Sequence, residues 1–213
     1  MNSTPAVVGA AEGLRLRFPG AWREIPLRDA AVTAEAVRRL VVESIGRADD
    51  RARLRAEVRE RLLSAASAAR AANADRFVIA LEAVTGLPIP AFLGVYTPGL
   101  DVSAATSAAA AEVMSVVITA LGALPGEDGS ERYSTGESEV LVTSREDVVV
   151  PEMPPGVDID PDEVRNLLID FWMTVPGERR VVLLSSSSPA IDLREPLFNL
   201  YRAIVSTAEW SSS

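Results

Sequence analysis

Cysteine, histidine and lysine are all missing from this chain of 213 residues. Each absence removes a class of chemistry. Without His there is no Ser-His-Asp triad and no imidazole general base. Without Cys there is no thiolate nucleophile, no disulfide and no cysteine-bound zinc or iron–sulfur centre. Without Lys there is no Schiff base, no Ser-Lys dyad and no P-loop lysine. All 21 basic residues are therefore Arg, which together with heavy Ala use reflects a high-GC coding bias. Aromatic residues are also scarce at 5%, which argues against a sugar-stacking cleft. What remains is carboxylate chemistry, Tyr or Ser without a conventional base, Arg electrostatics, or binding without catalysis. Neither G-x-G-x-x-G nor G-x-x-x-x-G-K-S/T occurs, so no nucleotide site and no cofactor are expected.

Long hydrophobic runs are scarce too. The one candidate span, Val102 to Leu124, is Ala-rich, has Glu112 in its middle and no flanking Arg, and is read as a core helix. The residues before Gly13 lack the basic start and apolar length of a signal peptide. A protein without membrane insertion, working in the cytoplasm, is expected.

What is present fits an ordinary globular domain, with 48% hydrophobic and 24% charged residues. The charge is uneven. Arg15 to Arg76 holds 14 Arg against 9 acids, whereas Glu127 to Glu163 holds 12 acids against 2 Arg. With a net charge of −9 overall, no nucleic-acid partner is expected. The opposed patches suit a protein partner or a homo-oligomer.

Gly13 to Phe18 alternates apolar and charged residues, as a half-buried strand does. Pro19-Gly20 turns it, and Trp22, Ile25 and Leu27 pack back on the core. Asp29 or Thr33 caps a helix to about Ile45, striped by Val37, Leu40, Val41 and Ile45. A second helix follows to about Ala72, striped by Leu54, Val58, Leu62, Ala65 and Ala69. The pair is an αα-hairpin over about 29–72. Its outer face holds Arg51, Arg55 and Arg59, the candidate partner-binding residues. Arg76 to Val84 and Ala91 to Thr97 form an antiparallel strand pair. Ser103 or Ser107 caps the Ala-rich helix, and Pro125-Gly126 closes it. Glu131 to Val150 holds one or two strands, turning near Gly136. Leu167 to Val175 and Val181 to Ser188 are strands joined by Pro176-Gly177. Leu167, Ile169, Phe171 and Met173 share one face; Leu168 and Trp172 share the other with Asp170. A strand apolar on both faces is central in a sheet covered on both sides. A final helix, with Pro196 in its first turn, buries Leu197, Tyr201, Ile204 and Ala208.

The pattern predicts an α+β fold: a mainly antiparallel sheet of six or seven strands with helices on both faces and the inserted hairpin. Residues 13–210 form one domain between short tails, 1–12 and 211–213.

Two motifs invite chemistry. Asp158, Asp160 and Asp162 have the D-x-D-x-D start of a calcium loop. Glu163 stands where the loop needs Gly, and Ile169 where it needs a bidentate Glu. They remain weak metal candidates on an acidic loop. Ser185 to Ser188 has neither a nucleophile elbow nor a base, and reads as the solvent-proximal end of its strand. No pair among the 30 acids stands out for glycosidase-type catalysis.

Phe18-Pro19-Gly20-Ala21-Trp22 is similar to the P-x-G-W opening of the PsbP-like (Mog/PsbP) α/β sandwich. Leu197 to Thr207 is similar to its closing F-x-x-I-x-x-S-F helix. The chain also resembles proteins of high-GC bacteria with the same strand–strand–helix ending. The resemblance implies an accessory subunit that binds a protein partner without catalysis. A non-catalytic interaction or assembly module is therefore expected; the alternative is a ligand-binding or carboxylate-dependent enzyme domain. The latter needs a pocket with converging Asp, Glu, Tyr or Arg side chains, the former an exposed apolar or charged patch.

Overall fold

The structure is a computed structural model that describes residues 6–8, 13–80, 91–126, 130–149, 164–188 and 190–211. Alternation shapes its first piece. Leu14, Leu16 and Phe18 are buried, and the arginines between them face out, in a strand flanked by two others. β1 (Ala6–Val8), drawn from the segment expected as a tail, pairs with β2 (Leu14–Phe18). β10 (Glu209–Trp210) pairs with the other edge of β2, and the Ser211 amide donates to the Gly13 carbonyl. This small sheet was not legible in the sequence, because its outer strands are three and two residues long.

Among the described residues the main sheet has seven strands, all antiparallel. They are β3 (Trp22–Glu24), β4 (Arg76–Ala80), β5 (Ala91–Tyr96), β6 (Glu131–Thr135), β7 (Ser138–Val149), β8 (Val164–Thr174) and β9 (Val181–Ser188). Their spatial order is β3-β4-β5-β9-β8-β7-β6. Gly136, at φ 55, begins the two-residue turn between β6 and β7, where a left-handed backbone is needed. The serines of β9 are not at a solvent-proximal end. Ser186 and Ser188 are buried, because β9 is an interior strand paired with β8 along its whole length.

Period two puts the core on both faces of this sheet. One face carries Val78, Leu93, Val140, Val142, Ile169, Phe171, Met173 and Leu184. It is covered by β2 and by helix α4 (Arg194–Val205), which buries Leu197, Tyr201, Ile204 and Val205. Tyr201 donates to the Phe92 carbonyl at 3.0 Å. Ala208 lies just past this helix, because the chain turns there toward β10.

The opposite face is covered in two separate places. At one end lies the expected helical hairpin. Helix α1 (Ala30–Ile45) starts at Asp29, whose carboxylate accepts from the amides of Ala31 and Val32 at 2.8 and 2.9 Å. Its buried Val37, Leu40 and Val41 pack with Leu62, Ala66 and Ala69 of helix α2 (Ala52–Ala71) over Phe77 and Ile79. The stripe on α2 runs through Ala66 where Ala65 was expected, and Leu54 is 49% exposed. The first turns of α2 extend past the cluster, so a hydrophobic residue there has nothing to cover.

At the other end lies helix α3 (Ala110–Leu121), half the expected length. It packs Val113, Met114 and Val117 on Leu141 and Val181. Neither Ser103 nor Ser107 starts it. Asp101 accepts from the Ser103 amide and holds a local turn instead, and Val102 and Ala105 are buried. Short polar side chains compete with helix by bonding nearby backbone. Glu112 is therefore in the first turn, where it accepts from the Thr106 amide and hydroxyl and from the Ser107 hydroxyl. Gly122, at φ 63, ends the helix ahead of Pro125. Among the described residues no helix is long and apolar enough to cross a membrane.

Truncating Phe171 leaves a cavity beneath α4. Phe171→Ala should cost about 3–5 kcal/mol, whereas Val148→Ala, at an exposed position, should stay within about 0.5 kcal/mol. Urea unfolding at neutral pH checks both. The hydrogen bonds to Glu112 hold its carboxyl at about 2, below the ordinary 4.5. A lowered folded value stabilises above the ordinary value and loses that effect as pH falls toward the folded one. Glu112→Gln should therefore lower the urea midpoint most at pH 6, with the gap from wild type closing as pH falls toward 2. A gap independent of pH would contradict this.

Candidate functional site: an open cleft over Asp170

The hairpin covers the β3–β5 end of its face and α3 covers the β7–β9 end. Between them the sheet lies open. The gap is a cleft of about 870 Å³, walled by Ala72 and Asn73 after α2, by Leu121 to Leu124 at the end of α3 and just beyond it, and by Thr97 to Gly99 after β5. Asn73 itself stands at φ 55, in the left-handed region that asparagine tolerates.

Strand register builds the floor. Gly94, Ser185, Asp170 and Thr143 are successive cross-strand partners across β5, β9, β8 and β7. The next row of the same face runs Tyr96, Leu183 and Trp172, and Arg145 stands opposite Leu168. One residue of slip in any strand would turn its contribution to the other face.

Asp170 is the centre of this grid. It is only 8% exposed and sits in a strand otherwise filled by Leu, Ile, Phe, Trp and Met. An unpartnered carboxylate there would cost several kcal/mol. It has two partners, one on each oxygen. Ser185 donates its hydroxyl to Oδ1 at 2.5 Å, and Arg145 donates from Nη1 to Oδ2 at 3.1 Å. The Arg145 side chain is itself 62% exposed and reaches over the cleft floor.

Tyr96 completes the site, and Gly94 permits its position. A Cβ at residue 94 would lie 2.5 Å from the Tyr96 hydroxyl and from the ring edge. The phenol therefore lies flat across the backbone of Gly94, beside Ser185. Burial, and secondly the negative charge of Asp170, raises the Tyr96 pKa above its ordinary 10.0. At neutral pH it is a protonated donor facing the cleft, with no intramolecular hydrogen bond among the described residues.

The remaining sequence candidates stand apart from this cleft. Asp158, Asp160 and Asp162 lie outside the described residues. Among the described residues no group of three or more acids, His or Cys gathers to hold a metal ion. Arg51, Arg55 and Arg59 do not form one free face. Arg51 donates to the Ile45 carbonyl at 3.1 Å, and Arg55 donates to the carbonyls of Gly46 and Ala48 at 3.0 and 2.6 Å. They satisfy the end of α1, which has no basic residue in its own last turn. Arg59 is exposed.

Sequence reading placed Asp170 on the face of Leu168 and Trp172 but assigned it no role. The signal was present, because a carboxylate in the middle of a strand apolar on both faces needs partners or a purpose. Arg145, Ser185 and Tyr96 come from three other strands and carry no such mark. No protein-family model matches the chain, and no curated protein matches it.

Gly94→Ala forces the Tyr96 ring off the strand. We expect a loss of about 1–3 kcal/mol, as for other overpacked sites. Tyr96→Ala should remove most of that penalty when combined with it. Additive losses in a double-mutant cycle by urea unfolding would show that the two residues do not touch.

Proposed function

We propose that this protein is a non-catalytic binding module whose recognition site is the cleft over Asp170. The observation that carries this is the convergence of Asp170, Arg145, Ser185 and Tyr96, from four strands, on the floor of a cleft of about 870 Å³. That volume is within the range of ligand sites, roughly 300–1,000 Å³. Between the two roles raised by the composition, the cleft favours ligand binding over assembly through the arginine-rich hairpin. Arg51 and Arg55 of that hairpin hold backbone carbonyls, which leaves the outer face a weaker anchor.

Support for the non-catalytic half is chemical. The chain has no His, Cys or Lys to act as base or nucleophile. Among the described residues Asp170 is the one acid lining the cleft, and both of its oxygens already accept hydrogen bonds. The reading shares its non-catalytic half with what the PsbP-like resemblance implies, and departs from it in placing a ligand cleft where the resemblance implies a protein partner.

The test is a fragment screen followed by amide NMR shifts. Hits should cluster on residues 96–99, 121–124, 143–145, 168–172 and 183–185. Gly99→Trp, at a position with open space around it, should plug the cleft and abolish those shifts while the rest of the spectrum is kept. Hits confined to residues 51–59 of the hairpin, or unaffected by the plug, would sink the proposal.

A further inference from the structure

The contents of the cleft also point to what it holds. This step rests on the cleft being a binding site. Among the described residues its polar lining has one donor-only group, Arg145, beside hydroxyls and an amide that can donate as well as accept. Arg145 engages one nitrogen, Nη1, with Asp170, which leaves the other edge of its guanidinium fork exposed. The Tyr96 phenol, the Asn73 amide and the Thr143 hydroxyl stand around the same hollow. The one acid among the described lining residues, Asp170, faces Arg145 and Ser185, so it orients the arginine and holds it over the floor. Asp75, behind the rim, accepts from Thr97 at 2.8 Å.

The rest of the lining is apolar. Trp172, Leu168 and Leu183 lie on the floor. Leu121 and Leu124 stand at the rim, 37% and 63% exposed. Large hydrophobics left in water beside a hollow gain by being covered. One arginine among the described lining residues, already half balanced by Asp170, suits one negative charge; a phosphate dianion would call for more cationic groups. A planar guanidinium edge matches a planar carboxylate in two parallel hydrogen bonds.

We infer that the cleft binds a small monocarboxylate with an apolar body: the carboxylate on the free edge of Arg145, and the body between Trp172 and the leucines at the end of α3, Leu121 and Leu124. Asp170 is a positioning residue in this arrangement, because it fixes the guanidinium and does not touch the ligand.

Three probes of equal length and different heads test this on the wild-type protein: hexanoate, hexanamide and hexylamine. Amide NMR titration reads binding and location together. Hexanoate should saturate shifts around Trp172, Leu183 and Leu121 in the millimolar range, at least tenfold more tightly than hexylamine or hexanamide. Arg145→Ala should weaken hexanoate at least tenfold, and Arg145→Lys by an intermediate factor, since it keeps the charge and loses the fork. If hexanamide or hexylamine binds in the cleft as tightly as hexanoate, the carboxylate assignment falls while the binding module stands. If Arg145→Ala binds hexanoate like wild type, the assignment falls in the same way. If none of the three moves a cleft resonance, both readings fall. The comparison of probes needs no variant, so it holds even where a substitution at Arg145 disturbs folding.

Discussion

Strand β8 has to be buried on both faces, and the arrangement of the helices follows from that. Phe171 and Met173 point to one side, and Leu168 and Trp172 to the other. A strand like this cannot lie at an edge or face water on either side. It is paired along its length by β7 and β9, both of which carry apolar residues on both sides as well. One side is covered completely by α4 and the small sheet. The other is covered by two units that meet its ends, the hairpin and α3. The cleft is the interval between them, and its existence is a consequence of covering a wide sheet with two short helical units.

An interval of this kind would expose the middle of an apolar sheet unless its residues changed. They do change, and in one row. Gly94, Ser185, Asp170 and Thr143 replace the large aliphatic side chains found elsewhere on the face. Small and polar residues on the floor keep the hollow open and wettable. The row also explains how a carboxylate survives in a central strand. Asp170 is buried toward its own strand but borders the cleft, so Arg145 can reach it from β7 with most of its length in water. The pair is half exposed, and its worth to stability is modest for that reason. Its effect is geometric: it fixes the direction of the guanidinium.

The sequence made the scaffold legible wherever one physical signal dominated. Two-face hydrophobicity marked β8 as central, Asp29 marked the start of α1, and the turn at Pro176-Gly177 joined β8 to β9. It misled where side chains had weak preferences. The Ala and Ser residues from Ser103 to Ala109 pattern equally well as helix or loop, and Asp101 and Glu112 settled the matter with side-chain hydrogen bonds. Strands of two or three residues left no periodicity to read. The site was the least legible part, because it depends on register between four strands. Asp170 was conspicuous by itself, but nothing local indicated that Ser185 and Arg145 would face it.

The same reasoning explains why charge counts along the chain were a poor guide to a partner surface. The excess of arginine between Arg15 and Arg76 suggested a basic docking face, yet most of those side chains bond within the fold. Arg38 and Arg39 meet Glu35, Arg53 meets Glu57, Arg76 meets Glu24 and Arg17 meets Glu209. Arg70 donates to the Leu27 carbonyl and the Thr33 hydroxyl, and ties α2 to the start of α1. In a chain without lysine, arginine does all the cationic work, including capping helix ends and bridging loops. A guanidinium fork with several fixed donors suits those structural tasks. Net charge in a stretch of such a sequence therefore measures internal bonding as much as surface potential. What distinguishes Arg145 is that, among the described residues, it bonds Asp170 through one nitrogen alone and lines the cleft with its side chain largely exposed. Recognition is better sought at an arginine held in place with donors to spare than where arginines are merely numerous.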